Sequence, residues 1–366
     1  MSAAPARTAL ERAVAALRGG DLVQAERRLQ QILQRWPGQG DALHFMGLLR
    51  HRQQRPDAAL ALLRAAAAAL PQEAAPRNNL GNVLASVERW AAAEQAYRDA
   101  LRLQPDLADA RANLGHACLR QDRLAEAAQH YRDALALQPA QALWRHQLAA
   151  CEPDRPPPRA SDAYLSQVFD EVAARFDQHL GELRYDAPAR VSRAVERLYA
   201  PPAAQLDIAD LGCGTGLCAP GLRPYAHQLS GCDLSAGMLD RARARGLYDR
   251  LERQDLMAFL GTRTAAFDLL VAADTLIYLG DLHPLMVAAT AALRPGGRFV
   301  FSIESLPDGA PQPVRLQPHG RFAHRADHVR QACAVAGLRL DEPEPFVLRL
   351  EQGVPVDGWL GVAQRP

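Results

Sequence analysis

Pro37, Pro71, Pro105 and Pro139 stand 34 residues apart, and that period constrains the first half of this 366-residue chain more than any other feature. Ala25, Ala59, Ala93 and Ala127 keep the same step, as do Met46-Gly47, Leu80-Gly81 and Leu114-Gly115, and Tyr97 falls in phase with Tyr131. A unit this short cannot bury a core alone, so neighbouring units must stack. Each reads as two helices, with small residues where they cross, a bulky residue opposite, and a proline ending the second helix. The first unit departs from the pattern: Ala13 takes the glycine position and Ile32 the small one, which reads as an N-terminal cap. Gln141–Ala150, with Trp144 and Leu148 at helical spacing, reads as a closing helix.

The leucine-glycine, alanine, tyrosine and proline positions of the units ending at Pro105 and Pro139 resemble the tetratricopeptide repeat. The resemblance implies an all-α solenoid over residues 1–150, of about four repeats plus a closing helix, with a concave face for a protein or peptide partner. By the phase of the repeat that face carries His44, His51, Arg52, Asn78, Asn82, His116 and Arg120, read either as partner contacts or as solvated polar residues. Cys151–Ala160 (CEPDRPPPRA) breaks the periodicity and reads as a stiff, extended linker, which puts the second domain at residues 161–366.

That domain opens with Ser161, a helix cap, and an apolar stripe of Leu165, Phe169, Val172, Phe176, Leu180 and Leu183. Leu206–Leu211 reads as a buried strand running into Gly212, Gly214 and Gly216. Glycine there lets a ligand approach backbone N–H groups and tolerates positive φ. Further strands are expected at Gln228–Cys232, ending at Asp233, at the segment ending Arg253-Gln254-Asp255-Leu256, at Phe267–Ala272 and at Arg298–Ile303. Leu293–Gly297 reads as a turn, and Phe346–Leu350 and Trp359–Val362 as antiparallel strands around a loop at 351–355. Strands alternating with helices predict a doubly wound, mostly parallel sheet with its ligand at the carboxyl strand ends.

The acids choose among ligands. Asp233, at a strand tip, can accept both hydroxyls of a ribose, and Asp255, at the next tip, the amino group of adenine; either is otherwise a helix cap. Asp210 either serves the ligand or pins the amides of the loop. Together they describe an adenosine cradle, and no second mononucleotide half follows, which disfavours NAD.

Asp210-Leu-Gly-Cys-Gly-Thr-Gly216, Asp233, Gln254-Asp255-Leu256 and Leu293-Arg-Pro-Gly-Gly297 resemble the motifs of class I S-adenosylmethionine-dependent methyltransferases, and the final hairpin resembles their antiparallel edge. With FDEVAARFDQHL, ADTLIYLGDL and RFAHRADHV, the whole chain resembles a bacterial group of repeat-containing methyltransferases. The resemblance implies a Rossmann-like fold and S-adenosylmethionine held by Asp210, Gly212, Cys213, Gly214, Thr215, Gly216, Asp233, Leu234, Gln254, Asp255 and Leu256. It adds Met238 as a ribose or adenine neighbour and Phe176 over the methionine end, both equally readable as core packing, and Asp274. No catalytic base is identified; Asp274, Tyr278, Glu304, His324 and His179 are the pocket candidates. The Pro-rich segment 306–320 reads as a flap or as a surface loop.

Composition removes other classes. Forty-two basic residues, all arginine, against forty-one acidic ones leave a net charge of +1, without the basic footprint of a nucleic-acid binder. Cys118, Cys151, Cys213, Cys218, Cys232 and Cys333 form no zinc spacing and suit a reducing cytoplasm, so no metal is expected. The N-terminus has no apolar secretion core, and Ala58–Leu70, broken by Arg64, is too short for a membrane span. The expected activity is methyl transfer to an O or N nucleophile; the alternatives are a non-catalytic cofactor-binding scaffold or sensor and an NAD-dependent oxidoreductase.

Overall fold

Proline sets the helix ends of the repeats. The pairs are α1 (Ala4–Arg18) with α2 (Leu22–Arg35), α3 (Gly40–Arg52) with α4 (Pro56–Ala69), α5 (Ala74–Ser86) with α6 (Trp90–Leu103), and α7 (Ala108–Leu119) with α8 (Leu124–Leu137); α9 (Ala142–Ala150) follows. Each second helix stops two residues before its proline. Trp36, Leu70, Gln104 and Gln138, caught between the helix and the pyrrolidine ring, take φ of −137°, −122°, −135° and −135°. Within a pair the glycine of one helix receives the bulky residue of the other. A Cβ on Gly81 would fall 2.4 Å from Tyr97 Cε1 and one on Gly47 2.7 Å from Leu63 Cγ, whereas on Gly115 the nearest atom is 3.2 Å away. Ala25, Ala59, Ala93 and Ala127 are fully buried at the crossings.

This computed structural model describes residues 4–152, 156–351 and 353–366. The first three residues of the expected repeat array, residues 153–155 of the expected linker and Gln352 of the expected turn lie outside them. The chain divides into two compact units, Met1–Cys151 and Glu152–Pro366.

In the second unit α10 (Asp162–Val172), α11 (Phe176–Glu182) and α12 (Ala187–Tyr199) precede β1 (Leu206–Leu211). Then come α13 (Ala219–Leu222), β2 (Ala226–Asp233), α14 (Ala236–Ala244), β3 (Arg250–Arg253), α15 (Leu256–Gly261), β4 (Phe267–Ala272), α16 (His283–Ala292) and β5 (Leu293–Ser305). The chain ends with β6 (Val314–Leu316), β7 (Phe322–His324), α17 (Ala326–Val335), β8 (Arg339–Leu340), β9 (Glu344–Glu351) and β10 (Val354–Gln364). The main path of the sheet is β3-β2-β1-β4-β5-β10-β8. Strands β3, β2, β1, β4 and β5 are parallel; β10 runs antiparallel to β5 and to β9. Successive residues of β4 alternate between two cores: Leu270 and Ala272 pack on one face of the sheet, Leu269 and Val271 on the other. A strand buried on both sides has to be apolar throughout, and β4 is after Asp268. The crossovers from β1 go one way to β2 and the chain later returns to β4 on its other side, which opens a crevice at the carboxyl ends of β1 and β4.

Several expected boundaries differ. The helix after Ser161 is broken by a 3₁₀ turn at Ala173–Arg175, so Phe169 and Phe176 lie on separate segments. Strand β3 ends at Arg253, and Asp255 is the N-cap of α15. The expected turn at 293–297 is drawn into β5, with Gly296 at φ +81°. The segment 306–320 contains β6, which pairs with β7, and β7 extends the sheet alongside β5. Part of the expected linker is built into the second unit: Arg159 bridges Leu279, Ala160 N–H donates to Tyr278 O, and Gly280 N–H donates to Pro158 O.

Candidate active site

Beyond the carboxyl ends of β1, β2, β3 and β4 lies a cavity offering about 180 Å³ to the centres of water-sized molecules. Three glycines form its floor turn, each with positive φ, yet they do different work. A Cβ on Gly212 (φ +65°) would strike Thr275 Oγ1 at 2.6 Å, and one on Gly216 (φ +83°) would strike Tyr248 Cε2 at 2.9 Å. Gly214 (φ +53°) alone opens onto free space, with Phe176 Cε1 the nearest atom at 4.0 Å. The cradle therefore lies between Gly214 and Phe176, where a side chain would occupy it. Gly216 does not line the cavity and acts by letting Tyr248 pack beneath the turn, a correction to its expected place among the ligand contacts.

Asp233 shapes that turn. Its Oδ2 accepts from Gly214 N–H at 2.9 Å and its Oδ1 from Ser235 N–H at 2.8 Å. The helix cap itself is Ser235, whose Oγ accepts from Met238 N–H. Burial raises the Asp233 carboxyl, opposed by those backbone donors. Asp210 is 2% exposed and accepts from the Tyr248 hydroxyl at 2.6 Å, not from the loop amides. Burial, with Asp233 adding to it and the Tyr248 bond opposing, pushes its carboxyl up to about 7. Asp255 lines the cavity too, but Oδ1 caps α15 through Met257 and Ala258 N–H, and Oδ2 pairs with Arg159 at 3.0 Å.

Two carboxylates of the FDEVAARFDQHL segment, not singled out among the expected contacts, tie the covering helices to the floor. Asp170 of α10 accepts from Ser235 Oγ and from Gly237 N–H. Asp177 of α11 accepts from Thr215 Oγ1 and pairs with Arg245, whose Nε donates to Thr215 O. Phe169 stands edge-on to both Phe176 and Tyr278, at 5.9 and 5.6 Å between ring centroids, and makes an aromatic wall.

Of the other expected contacts, Cys213, Thr215, Leu234, Met238, Gln254, Leu256, Asp274, Tyr278 and His179 line the cavity. Glu304 and His324 do not. His324 is fully buried, its Nε2 bonds Leu279 O at 2.9 Å, and its ring stacks on His328; burial holds the imidazole down to about 3. Glu304 sits behind the wall, bonded to Arg349 Nη2 at 2.6 Å and to His319 Nε2 at 3.1 Å. Burial works against ionisation of Glu304, but His319 and Arg349 prevail and lower it. The expectation that both converge on the ligand is corrected accordingly.

Arg349 and Arg321, not among the expected site residues, complete that wall. Arg349 is 2% exposed and donates to Glu351 Oε1 at 2.7 Å, to Glu304 and, at 3.4 Å, to Asp274. Arg321 pairs with the same Oε1 of Glu351 and bonds Tyr278. Asp274 has φ +51°, uncommon for a residue with a Cβ, and its Oδ1 accepts from Ser302 Oγ. Burial raises Asp274 against the pull of Arg349.

On the repeats, six of the seven expected face residues are engaged among themselves and their neighbours, His51 being the seventh. His44 bonds Asn79, Arg52 donates to Leu17 O, Asn113 bridges Asn78 and Asn82, and His116 and Arg120 lie against Trp90. Among the described residues no helix is long and apolar enough to cross a membrane.

The family described as Methyltransferase domain matches residues 209–301, and that described as Tetratricopeptide repeat matches residues 10–74 and 78–142. Methyltransferase-like protein 27 of Homo sapiens is 46% identical over 85 residues, 23% of this chain and 34% of that protein. Ubiquinone biosynthesis O-methyltransferase of Xylella fastidiosa is 28% identical over 199 residues, 50% of this chain and 79% of that protein. The chain thus spans about a third of the first relative's length and about four fifths of the second's. A solved S-adenosylmethionine-dependent methyltransferase from Mesorhizobium loti is 26% identical, with 49% of this chain and 98% of that chain covered and a TM-score of 0.39.

Proposed function

For a chain that carries tetratricopeptide repeats ahead of a methyltransferase domain, we propose that it transfers a methyl group from S-adenosylmethionine to an O or N nucleophile, in the cytoplasm, on an acceptor or partner recruited by the repeats. The observation that carries this reading is the Gly214–Asp233 pair, which leaves a bare backbone and a carboxylate facing one cavity. The residues fit the cofactor. The Gly214–Phe176 cradle has room that a Cβ would fill, and Asp233, held by the Gly214, Leu234 and Ser235 amides, lines the same cavity as an acceptor for a ribose hydroxyl. Met238, Leu234 and Leu256 offer an apolar slot for the base, and Asp255, capped and paired, contributes as a wall rather than as a free acceptor.

The bound cofactor supplies an electrophilic methyl on a positively charged sulfur. The chain's contribution is placement and the exclusion of water, which together account for much of the barrier reduction in such transfers. Phe169, Phe176 and Tyr278 cover the cavity, and Asp170 and Asp177 fasten the covering helices to the floor. Incubating the full-length protein with methyl-labelled S-adenosylmethionine and a cell lysate tests the reading. Label should pass to a small molecule or to protein; cofactor binding without any transfer would make the chain a sensor or scaffold.

A further inference from the structure

Most of the polar groups on the acceptor side of the cavity are already committed. Asp274 has one oxygen on the Ser302 hydroxyl and the other toward Arg349. The guanidinium of Arg349 is shared among Glu351, Glu304 and Asp274. Arg321 differs. It lines the cavity, its side chain is 26% exposed, and the one carboxylate oxygen it meets, Glu351 Oε1, also serves Arg349. Its other hydrogen-bond partner is the Tyr278 side chain. A planar guanidinium presents five donors in a fork that matches a carboxylate, and the hydrogen bonds to Glu351 and Tyr278 engage only part of it, although Glu304 and Asp274 share its field. Tyr278 adds a hydroxyl on the same wall, and Phe169 at 5.6 Å supplies an apolar flank.

We propose that the methyl acceptor is a carboxylic acid, its carboxylate held by Arg321 with Tyr278 beside it, and that the product is a methyl ester. The proposal rests on the methyltransferase reading and names its substrate class. A carboxylate oxygen uses its lone pair to form the new C–O bond as the methyl–sulfur bond breaks. The bonding pair goes to sulfur, which becomes a neutral thioether, and no proton is released. Such an acceptor arrives deprotonated at neutral pH, so the reaction asks for orientation rather than a base. The committed state of Asp274 and the remote place of Glu304 and His324 agree with that demand.

The test uses the full-length protein, methyl-labelled S-adenosylmethionine and a lysate separated by acid precipitation into protein and small molecules, followed by mild alkali. Methyl esters release volatile methanol, whereas methyl ethers and methylamines do not. The expected result is alkali-labile label in one fraction, the fraction distinguishing a protein carboxylate from a small acid. Arg321→Gln should lower it at least about tenfold, the scale of a lost charge-assisted contact, while S-adenosylhomocysteine affinity stays within about threefold by calorimetry. Arg321→Lys should retain more than Arg321→Gln. Alkali-stable label would overturn the carboxylate proposal and leave methyl transfer standing, and so would an unchanged yield from an Arg321→Gln protein that binds S-adenosylhomocysteine. No label in either fraction would overturn methyl transfer itself. The wild-type readout decides the acceptor atom even if the variant fails to fold.

Discussion

Gly214 and Asp233, nineteen residues apart, meet through one hydrogen bond: the Gly214 N–H donates to Asp233 Oδ2 at 2.9 Å. The bond joins the turn after β1 to the tip of β2, so the residue that would hold a ribose also fixes the turn that would lie under the rest of the cofactor.

Replacing Asp233 with alanine should therefore do two kinds of damage. Cofactor affinity should fall by about 1–3 kcal/mol, the range for a lost charged hydrogen bond, and the Gly214 and Ser235 amides lose their acceptor. Calorimetric titration with S-adenosylhomocysteine measures the first, and hydrogen exchange at residues 212–216 the second. Unchanged affinity in the folded variant would remove Asp233 from the ligand contacts.

The glycines of the turn separate folding from binding. Gly214→Ala should cost about 1–2 kcal/mol of stability for a left-handed alanine, yet abolish most cofactor binding, because its methyl enters the cradle. Gly212→Ala, driven 2.6 Å from Thr275 Oγ1, should lose more stability in urea denaturation. The reverse order would contradict the assignment.

Arg349 is a structural keystone rather than a contact that can be dispensed with. Arg349→Met leaves Asp274 without its ion-pair partner and Glu304 with only His319, and the expected loss is about 3–5 kcal/mol, read as a lowered thermal midpoint. A loss below about 1 kcal/mol, the worth of an exposed pair, would mean that water reaches the cluster.

Asp210 gives a pH dependence whose sign is set. Its folded value of about 7 exceeds the reference 3.8, so the folded state binds the extra proton. Its contribution to stability is complete below about pH 4, is lost progressively up to about pH 7, and is flat above that. Asp210→Asn keeps the neutral amide at every pH, so wild type should weaken relative to the variant across that window. At about 1.4 kcal/mol per unit the difference approaches 4 kcal/mol as an upper bound. Parallel stability curves from pH 4 to 7 would show that Asp210 is ionised throughout.

How much of this was legible in the sequence depends on how local each feature is. The repeats declared themselves because a 34-residue period repeats the same packing problem, and Gly81 against Tyr97 is one solution of it. The turn and Asp233 were legible because each sits at the end of an apolar strand whose direction fixes where its tip points. Asp255 lines the cavity, and its helix-cap reading was legible in the sequence; its pairing with Arg159 was not, since no spacing reveals it. Arg321 and Arg349 were missed because they reach the site through long-range pairing, β7 beside β5 and β9 beside β10. One signal was present: Arg349 interrupts Phe346, Leu348 and Leu350, and a lone arginine in an apolar strand asks for buried acids.

The central claim is that the Gly214–Asp233 cradle holds S-adenosylmethionine. Calorimetry of the full-length protein with S-adenosylhomocysteine and, separately, with NAD tests it most directly. The account predicts binding of S-adenosylhomocysteine at one site per chain, weakened by Asp233→Ala, and no competing heat from NAD. Binding of NAD with none of the sulfur ligand would contradict it.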